Sequence, residues 1–358
     1  MTRLTELHVE RLRNLQSVDL EPAGGINLIS GPNGSGKTSL LEAIHTLSLG
    51  RSFRGNQPAE LIRHGTGDLL VRARVQEGAP GQREHRIALQ RDRKALHLRI
   101  DGENVTRLSE LARLLPVLAL HPQSDDLVLG SPDHRRRFLD RVGFYALPEF
   151  FDRHREFLKV LRQRNALLRR RKREAIWEAL YIRNADRLES ARREVLRHLI
   201  ERVEALAPAL FPQGVLSLRY LPGYRQDLDL ATAIEQGRER ETEMQSTLFG
   251  PHRADLKIAI DDQEARHVAS RGQIKMLVTL LHLAVLDLWQ KARGETAVIL
   301  FDDLASELDH DNRRRVLDFL TTSGHQAFIS VIAADALDDE GRIDARFALA
   351  DGQVRKMV

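Results

Sequence analysis

Eight residues near the N-terminus have the types and spacing for phosphate chemistry. Residues 31–38 read GPNGSGKT, a full fit to G-x-x-x-x-G-K-[ST] placed between a predicted strand and a predicted helix, as that pattern requires. Gly31, Pro32, Asn33, Gly34, Ser35 and Gly36 form a loop whose backbone N–H groups can turn inward around phosphate oxygens. The N-terminus of the following helix adds positive potential there. Lys37 is the cation for the β and γ phosphates, and Thr38, with Ser39 beside it, offers a hydroxyl to Mg²⁺. The implied ligands are ATP and Mg²⁺.

The complement stands far downstream, in AVILFDD at 297–303. Four consecutive apolar residues, 298–301, predict a fully buried strand. Its C-terminal edge delivers Asp302 and Asp303, and in a parallel sheet that edge is where ligands bind. Asp302 is placed to hold the metal through water. Asp303 is placed to orient or deprotonate an attacking water, which pairs it with Lys37 as a catalytic candidate. The plainer alternative is a solvated turn at a strand end.

A third constellation, ASRGQ at 269–273, runs into an apolar helical pattern. It resembles the signature of ABC-type ATPases, usually L-S-G-G-Q, at Ser270, Gly272 and Gln273. That likeness implies a helix N-terminus and a hydroxyl facing the γ-phosphate of a nucleotide held by a second copy, and hence an ATP-dependent homodimer. SELD at 306–309 resembles the accompanying D-loop. The alternative is a simple N-cap, for which serine is a common choice.

The elements that must position these residues follow from periodicity. Strand-like segments precede the glycine loop, and residues 39–49 repeat at helical spacing. Alternating stretches joined by the turn-rich GAPGQ (78–82) then add antiparallel strands. Residues 116–133 read as turn-rich. From 135 to 203 the chain is almost free of proline and dense in Arg, Glu and Leu at 3–4 spacing, as in long helices pairing along one seam. Like charges crowd residues 169–174, which places the tip of a helical hairpin there, and Pro208 and Pro212 end its second helix. The expected organisation is an α/β P-loop ABC-type ATPase head with antiparallel strands, from 1–130 and 248–358. An inserted, mainly helical, short coiled-coil-like lobe takes 131–247.

Composition bounds the rest. The 358 residues are 42% hydrophobic and 30% charged, which excludes a disordered chain. Formal net charge is only +4, so the total does not argue for nucleic acid. Locally, residues 152–173 carry ten Lys or Arg against two acidic residues. Such a face could track a phosphate backbone or could simply be solvated. Cysteine is absent, excluding disulfide and thiolate chemistry. Neither a signal peptide nor a membrane span is expected, and the cytoplasm is the default location.

Taken in order, LRNLQSVDLEP (12–22), GPNGSGKTSLLEAI (31–44), RSFR (51–54), GSPDHRRRFLD (130–140), LRQRNALL (161–168), FGPHRADL (249–256), ASRGQIKML (269–277) and FDDLASELD (301–309) resemble the RecF family of DNA replication and repair ATPases, related to SMC heads. That resemblance implies slow, DNA-dependent ATP hydrolysis used as a switch and dimerisation on ATP. It also implies binding at gapped or duplex DNA, RecR- and RecO-like partners, help in loading the recombinase, and a link to the SOS response. It places Arg54 near the nucleotide and matches Arg136, Arg137, Arg164 and Arg253 to family arginines. Two departures stand out: Asp303 holds a position usually given to Glu, and AFISVIAAD (327–335) has no histidine at the switch position. Gln123 is the candidate Q-loop glutamine. Two other readings compete. A transporter ATPase subunit would carry its signature without an intervening helical arm. An SMC-like tether would need far longer arms, since a helix of about 35 residues spans only about 50 Å.

Overall fold

Alternating and continuous apolar runs divide the chain into half-buried and fully buried strands, and the 3–4 spaced runs become helices. The computed structural model describes residues 2–55, 58–78, 83–333, 337 and 341–357. Its elements are β1 (Thr2–Leu12), β2 (Leu15–Leu20), β3 (Ile26–Ser30), α1 (Lys37–Leu49), β4 (Asp68–Glu77), β5 (Arg83–Asp92), β6 (Leu96–Ile100), β7 (Glu103–Asn104), α2 (Leu108–Leu114) and β8 (Val117–Leu120). There follow α3 (Asp126–Leu129), α4 (Pro132–Ala146), α5 (Phe150–Arg169), α6 (Ala175–Leu210), β9 (Leu216–Leu221), α7 (Leu230–Gln236), α8 (Arg238–Glu243), β10 (Asp255–Ile260), β11 (Gln263–Glu264) and α9 (Ala265–Val268). The last are α10 (Arg271–Arg293), β12 (Val298–Phe301), α11 (Leu304–Glu307), α12 (His310–Ser323), β13 (Gln326–Val331), β14 (Ala345–Ala350) and β15 (Gln353–Met357). They fall into two compact units, Met1–Ser124 with Trp289–Val358, and Asp125–Leu288.

The first unit holds two six-stranded sheets. One is antiparallel, in the order β2-β1-β4-β5-β6-β7, and the other runs β15-β14-β3-β13-β12-β8. In the second sheet β14, β3, β13, β12 and β8 are parallel, with β15 antiparallel at the edge. Every residue of β3, β12 and β13 is buried, as expected of parallel strands covered on both faces. Leu40, Leu41, Ile44 and Leu47 of α1 share one core with Leu4, Val9 and Val71 of the antiparallel sheet and Ile29, Leu300 and Phe328 of the parallel one. α1 is thereby fixed between two sheets, and so is the loop that leads into it.

The turn-rich reading of 116–133 is corrected at Val117–Leu120. These four buried residues pair in parallel with β12, and Val298 N–H donates to the Pro116 carbonyl. Like β12 it is a continuous apolar run of four, but Pro116 and Pro122 close on either side give the stretch the composition of a turn. Most of the 78–82 turn lies outside the described residues.

In the second unit α5 and α6 form the helical hairpin, with its tip at 170–174. α6 runs to Leu210 with Pro208 inside its last turn, where Phe211 N–H donates to the Ala207 carbonyl and closes the helix. The two prolines therefore bracket the helix end instead of both lying beyond it. β10 pairs with β9 and β11, so residues 248–288, expected with the head, cluster with the helical unit. α10 is long and apolar enough to cross a bilayer by length and composition, but 78% of its apolar window is buried inside the protein.

Candidate nucleotide site

The chain leaves β3 at Ser30 and enters α1 at Lys37 through a loop that needs its glycines. Gly34 (φ 81°) and Gly36 (φ 111°) are left-handed, a conformation L side chains resist. A Cβ on Gly36 would also stand 2.6 Å from the Leu15 side chain, and one on Gly31 2.2 Å from the Leu349 carbonyl oxygen. Lys37 is buried, and its Nζ donates to the carbonyls of Gly31 (2.6 Å) and Pro32 (3.0 Å). Burial pushes its pKa below the ordinary lysine value, against the pull of Asp303 and Asp302.

The end of β12 brings the aspartates to this loop. Thr38 Oγ1 donates to Asp302 Oδ1 at 2.8 Å, and Ser330 Oγ donates to the same oxygen at 3.0 Å. Ser330 Oγ in turn accepts from Asp303 N–H (2.8 Å). Asp303 is left-handed (φ 64°), and its buried Oδ1 has no hydrogen-bond partner among the described residues. A buried carboxylate oxygen without a donor is costly unless something else satisfies it.

These groups line one cleft of about 460 Å³, which includes Asn33, Gly34, Lys37, Thr38, Asp302 and Asp303. Gly36 and Ser39 line it as well, while Gly31 and Pro32 act through their carbonyls and Ser35 lies buried within the loop. The arrangement suits Mg²⁺, because Thr38 and Asp302 offer hard oxygens and Asp303 keeps one free. It also suits a polyphosphate, which would bring oxygens for Lys37 and the loop N–H groups.

Sequence reasoning missed several partners. Asn14, in the β1–β2 turn, donates through Nδ2 to the Gly34 carbonyl (2.7 Å) and accepts from Ser39 Oγ (2.7 Å). Arg13, Asn14 and Ser330 all line the cleft, and so does Arg54. A polar pair at a tight turn, RN at 13–14, was the only visible signal. Pro122 lines the cleft, whereas Gln123 Oε1 accepts from His121 Nδ1 at 2.8 Å. Residues 334–335 of the switch segment lie outside the described residues.

Ser270, Gly272 and Gln273 belong to the second unit and do not line this cleft. Ser270 N–H donates to Gln273 Oε1 (2.8 Å), and Gln273 N–H donates to Ser270 Oγ (3.3 Å). This reciprocal pair is a capping box at the head of α10. Ser270 and Gly272 are nevertheless exposed, and a hydroxyl that only accepts keeps its own proton to donate.

A phosphate loop between β3 and α1, aspartates at the end of β12 and an antiparallel sheet sharing the α1 core define an α/β P-loop ATPase head of the ABC type, here with an inserted helical lobe. The model of the RecF/RecN/SMC N terminal domain matches residues 3–348. The chain belongs to the RecF family. It is 35% identical over 340 residues to the DNA replication and repair protein RecF of Edwardsiella ictaluri, covering 94% of each chain. It is 33% identical over 347 residues to that of Vibrio parahaemolyticus, covering 95% of this chain and 96% of the relative. A solved structure of the recombination mediator protein RecF-ATP in the RecFOR pathway superposes with a TM-score of 0.87 at 28% identity, covering 100% of this chain and 98% of that one. An SMC head bound to the C-terminal winged-helix domain of ScpA shares the fold alone, with a TM-score of 0.60 at 16% identity.

Proposed function

We propose that this protein is a recombination mediator that binds ATP and Mg²⁺ in the Lys37 cleft and closes into a dimer on DNA. One observation carries the reading: Lys37, Thr38, Asp302 and an unsatisfied Asp303 oxygen converge in one cleft. Bound there, the nucleotide and its metal supply the polarised phosphoryl group. The chain's own part is to neutralise the phosphates with Lys37, hold the metal through Thr38 and Asp302, and take a proton from water on Asp303. Aspartate has a shorter arm than the usual glutamate, so turnover by this weak DNA-dependent ATPase is slow and gated by dimer closure. In the dimer the exposed Ser270 tip of a second copy caps the nucleotide, with Gly272 leaving the approach open and Gln273 holding the tip in shape.

The DNA part rests on the helical lobe. Arg153 pairs with Glu149, Arg155 with Asp152, and Arg164 and Arg173 with Glu241. Lys159, Arg162, Arg169, Arg170, Arg171 and Lys172 have no ion pair among the described residues, and the last four are exposed at the hairpin tip. Free cations of this kind suit the phosphate backbone of gapped or duplex DNA. RecR- and RecO-like partners, recombinase loading, the SOS link and a cytoplasmic location complete the proposal.

Equilibrium binding to gapped, duplex and single-stranded DNA, with and without ATP across a salt series, tests it. ATP should tighten binding to gapped or duplex DNA, and affinity should fall steeply with salt. Binding indifferent to ATP, or absent at low salt, would overturn the clamp.

A further inference from the structure

A second carboxylate lies behind the phosphate loop. Glu42, on α1, is 0% exposed. Arg13 Nη2 donates to its Oε1 at 2.9 Å, and Arg13 Nε stands 2.5 Å from its Oε2, close but poorly aligned for a hydrogen bond. Ser52 Oγ also donates to Oε1, and that same hydroxyl accepts the N–H of Arg54 at 2.8 Å. One buried anion therefore grips a guanidinium directly and pins the loop that carries another.

Both guanidiniums face the cleft. Arg13 and Arg54 line it together with Lys37. The Arg13 side chain is 24% exposed, and its Nη1 has no hydrogen bond among the described residues, so one edge meets Glu42 while the other is left to a ligand. The Arg54 side chain is likewise without a partner there and lies exposed. Lys37 is occupied by loop carbonyls, which leaves Arg13 and Arg54 as the readier cations for an incoming polyanion.

We propose that Glu42 is a positioning residue for nucleotide recognition, a buried carboxylate that sets Arg13 and the Arg54 loop against the phosphates or ribose of a nucleoside triphosphate. This rests on the nucleotide reading above. A fixed cation loses little freedom on binding, so the carboxylate acts through preorganisation. A purely structural Glu42 would instead contribute to stability alone.

Titration of the full chain with a fluorescent ATP analogue, alongside thermal melting, separates the two. Glu42→Gln and Arg13→Ala should each weaken binding about tenfold, the loss of one charge-assisted contact. The double variant should bind more weakly than Arg13→Ala only by the smaller loss that Ser52→Ala shows, well short of the two single losses added in full, because Glu42 acts through Arg13 and through the Arg54 loop. Arg54→Ala and Ser52→Ala should weaken binding to a common, smaller extent, and both are mild enough to read if Glu42→Gln unfolds. Wild-type affinity in folded Glu42→Gln, or losses that add in full in the double variant, would overturn the proposal. So would wild-type affinity in Ser52→Ala beside weakened Arg54→Ala. Failure of the wild-type chain to bind ATP would sink the nucleotide reading itself.

Discussion

Glu42 and Glu241 are both fully buried carboxylates bound to arginine, yet they sit in opposite settings. Glu42 holds Arg13, whose other edge opens on the cleft. Glu241 holds Arg164, whose side chain is only 4% exposed and whose Nη1 also donates to Thr247 Oγ1 at 2.8 Å. Arg173 and the Leu248 N–H complete that cluster. A buried ion pair alone therefore says little about function. What separates the two is whether the cation keeps unused donors facing a space that can hold a ligand. The first pair serves binding; the second ties α5 to the α8 region within the helical unit.

The sharpest way to break that contrast is Arg164→Ala. It leaves the buried Glu241 with only Arg173 and the Leu248 N–H and should cost roughly 3 kcal/mol of stability, with ATP affinity of the folded protein unchanged. Denaturant melts and ATP titration read both, and a parallel collapse of ATP binding would erase the distinction. Lys37→Ala should do the reverse, lowering ATP affinity on the order of 100-fold, about 2.7 kcal/mol, while the melt barely moves. A large loss of stability instead would make Lys37 a structural residue.

Acid sharpens the comparison by a different route. His325 in the first unit and His252 in the second are each held neutral by burial, with pKa lowered from 6.5 to about 4. Between those values the unfolded chain binds a proton that the folded chain does not, so stability falls as pH drops from about 6.5 towards about 4 and levels off below. Each group accounts for on the order of 3 kcal/mol. Melts of His325→Gln and of His252→Gln at neutral and mildly acidic pH should show a shallower acid slope than wild type; an unchanged slope in both variants contradicts these assignments. The smallest expected effect is on the capping box, where Ser270→Ala should cost about 1 kcal/mol.

Much of the cleft could be read from the chain because its parts are contiguous. The loop from Gly31 to Ser39 and the Asp302–Asp303 pair each announce themselves within a few residues. Their partners do not. Arg13, Asn14, Glu42 and Ser330 come together only through the pairing of β1 with β2, β3 with β13, and the seating of α1 between sheets. In sequence, Glu42 is one of several polar positions in α1, and nothing in LLEAI marks it as fully buried. β8 escaped because Pro116 and Pro122 flank it, although its four apolar residues run as continuously as those of β12. The capping box shows the converse limit: the residues that resemble a phosphate-binding signature also cap a helix well, and the cap is the role their hydrogen bonds fill.

The central claim is that one nucleotide is gripped by the Lys37 loop of one copy and the Ser270 helix tip of another. Mass measurement in solution with ATP and Mg²⁺, on wild type, Lys37→Ala and Ser270→Arg, tests it most directly. The wild-type chain should become a dimer. Lys37→Ala should stay monomeric without nucleotide, and Ser270→Arg should bind ATP yet stay monomeric. A Ser270→Arg chain that dimerises like wild type would contradict the account.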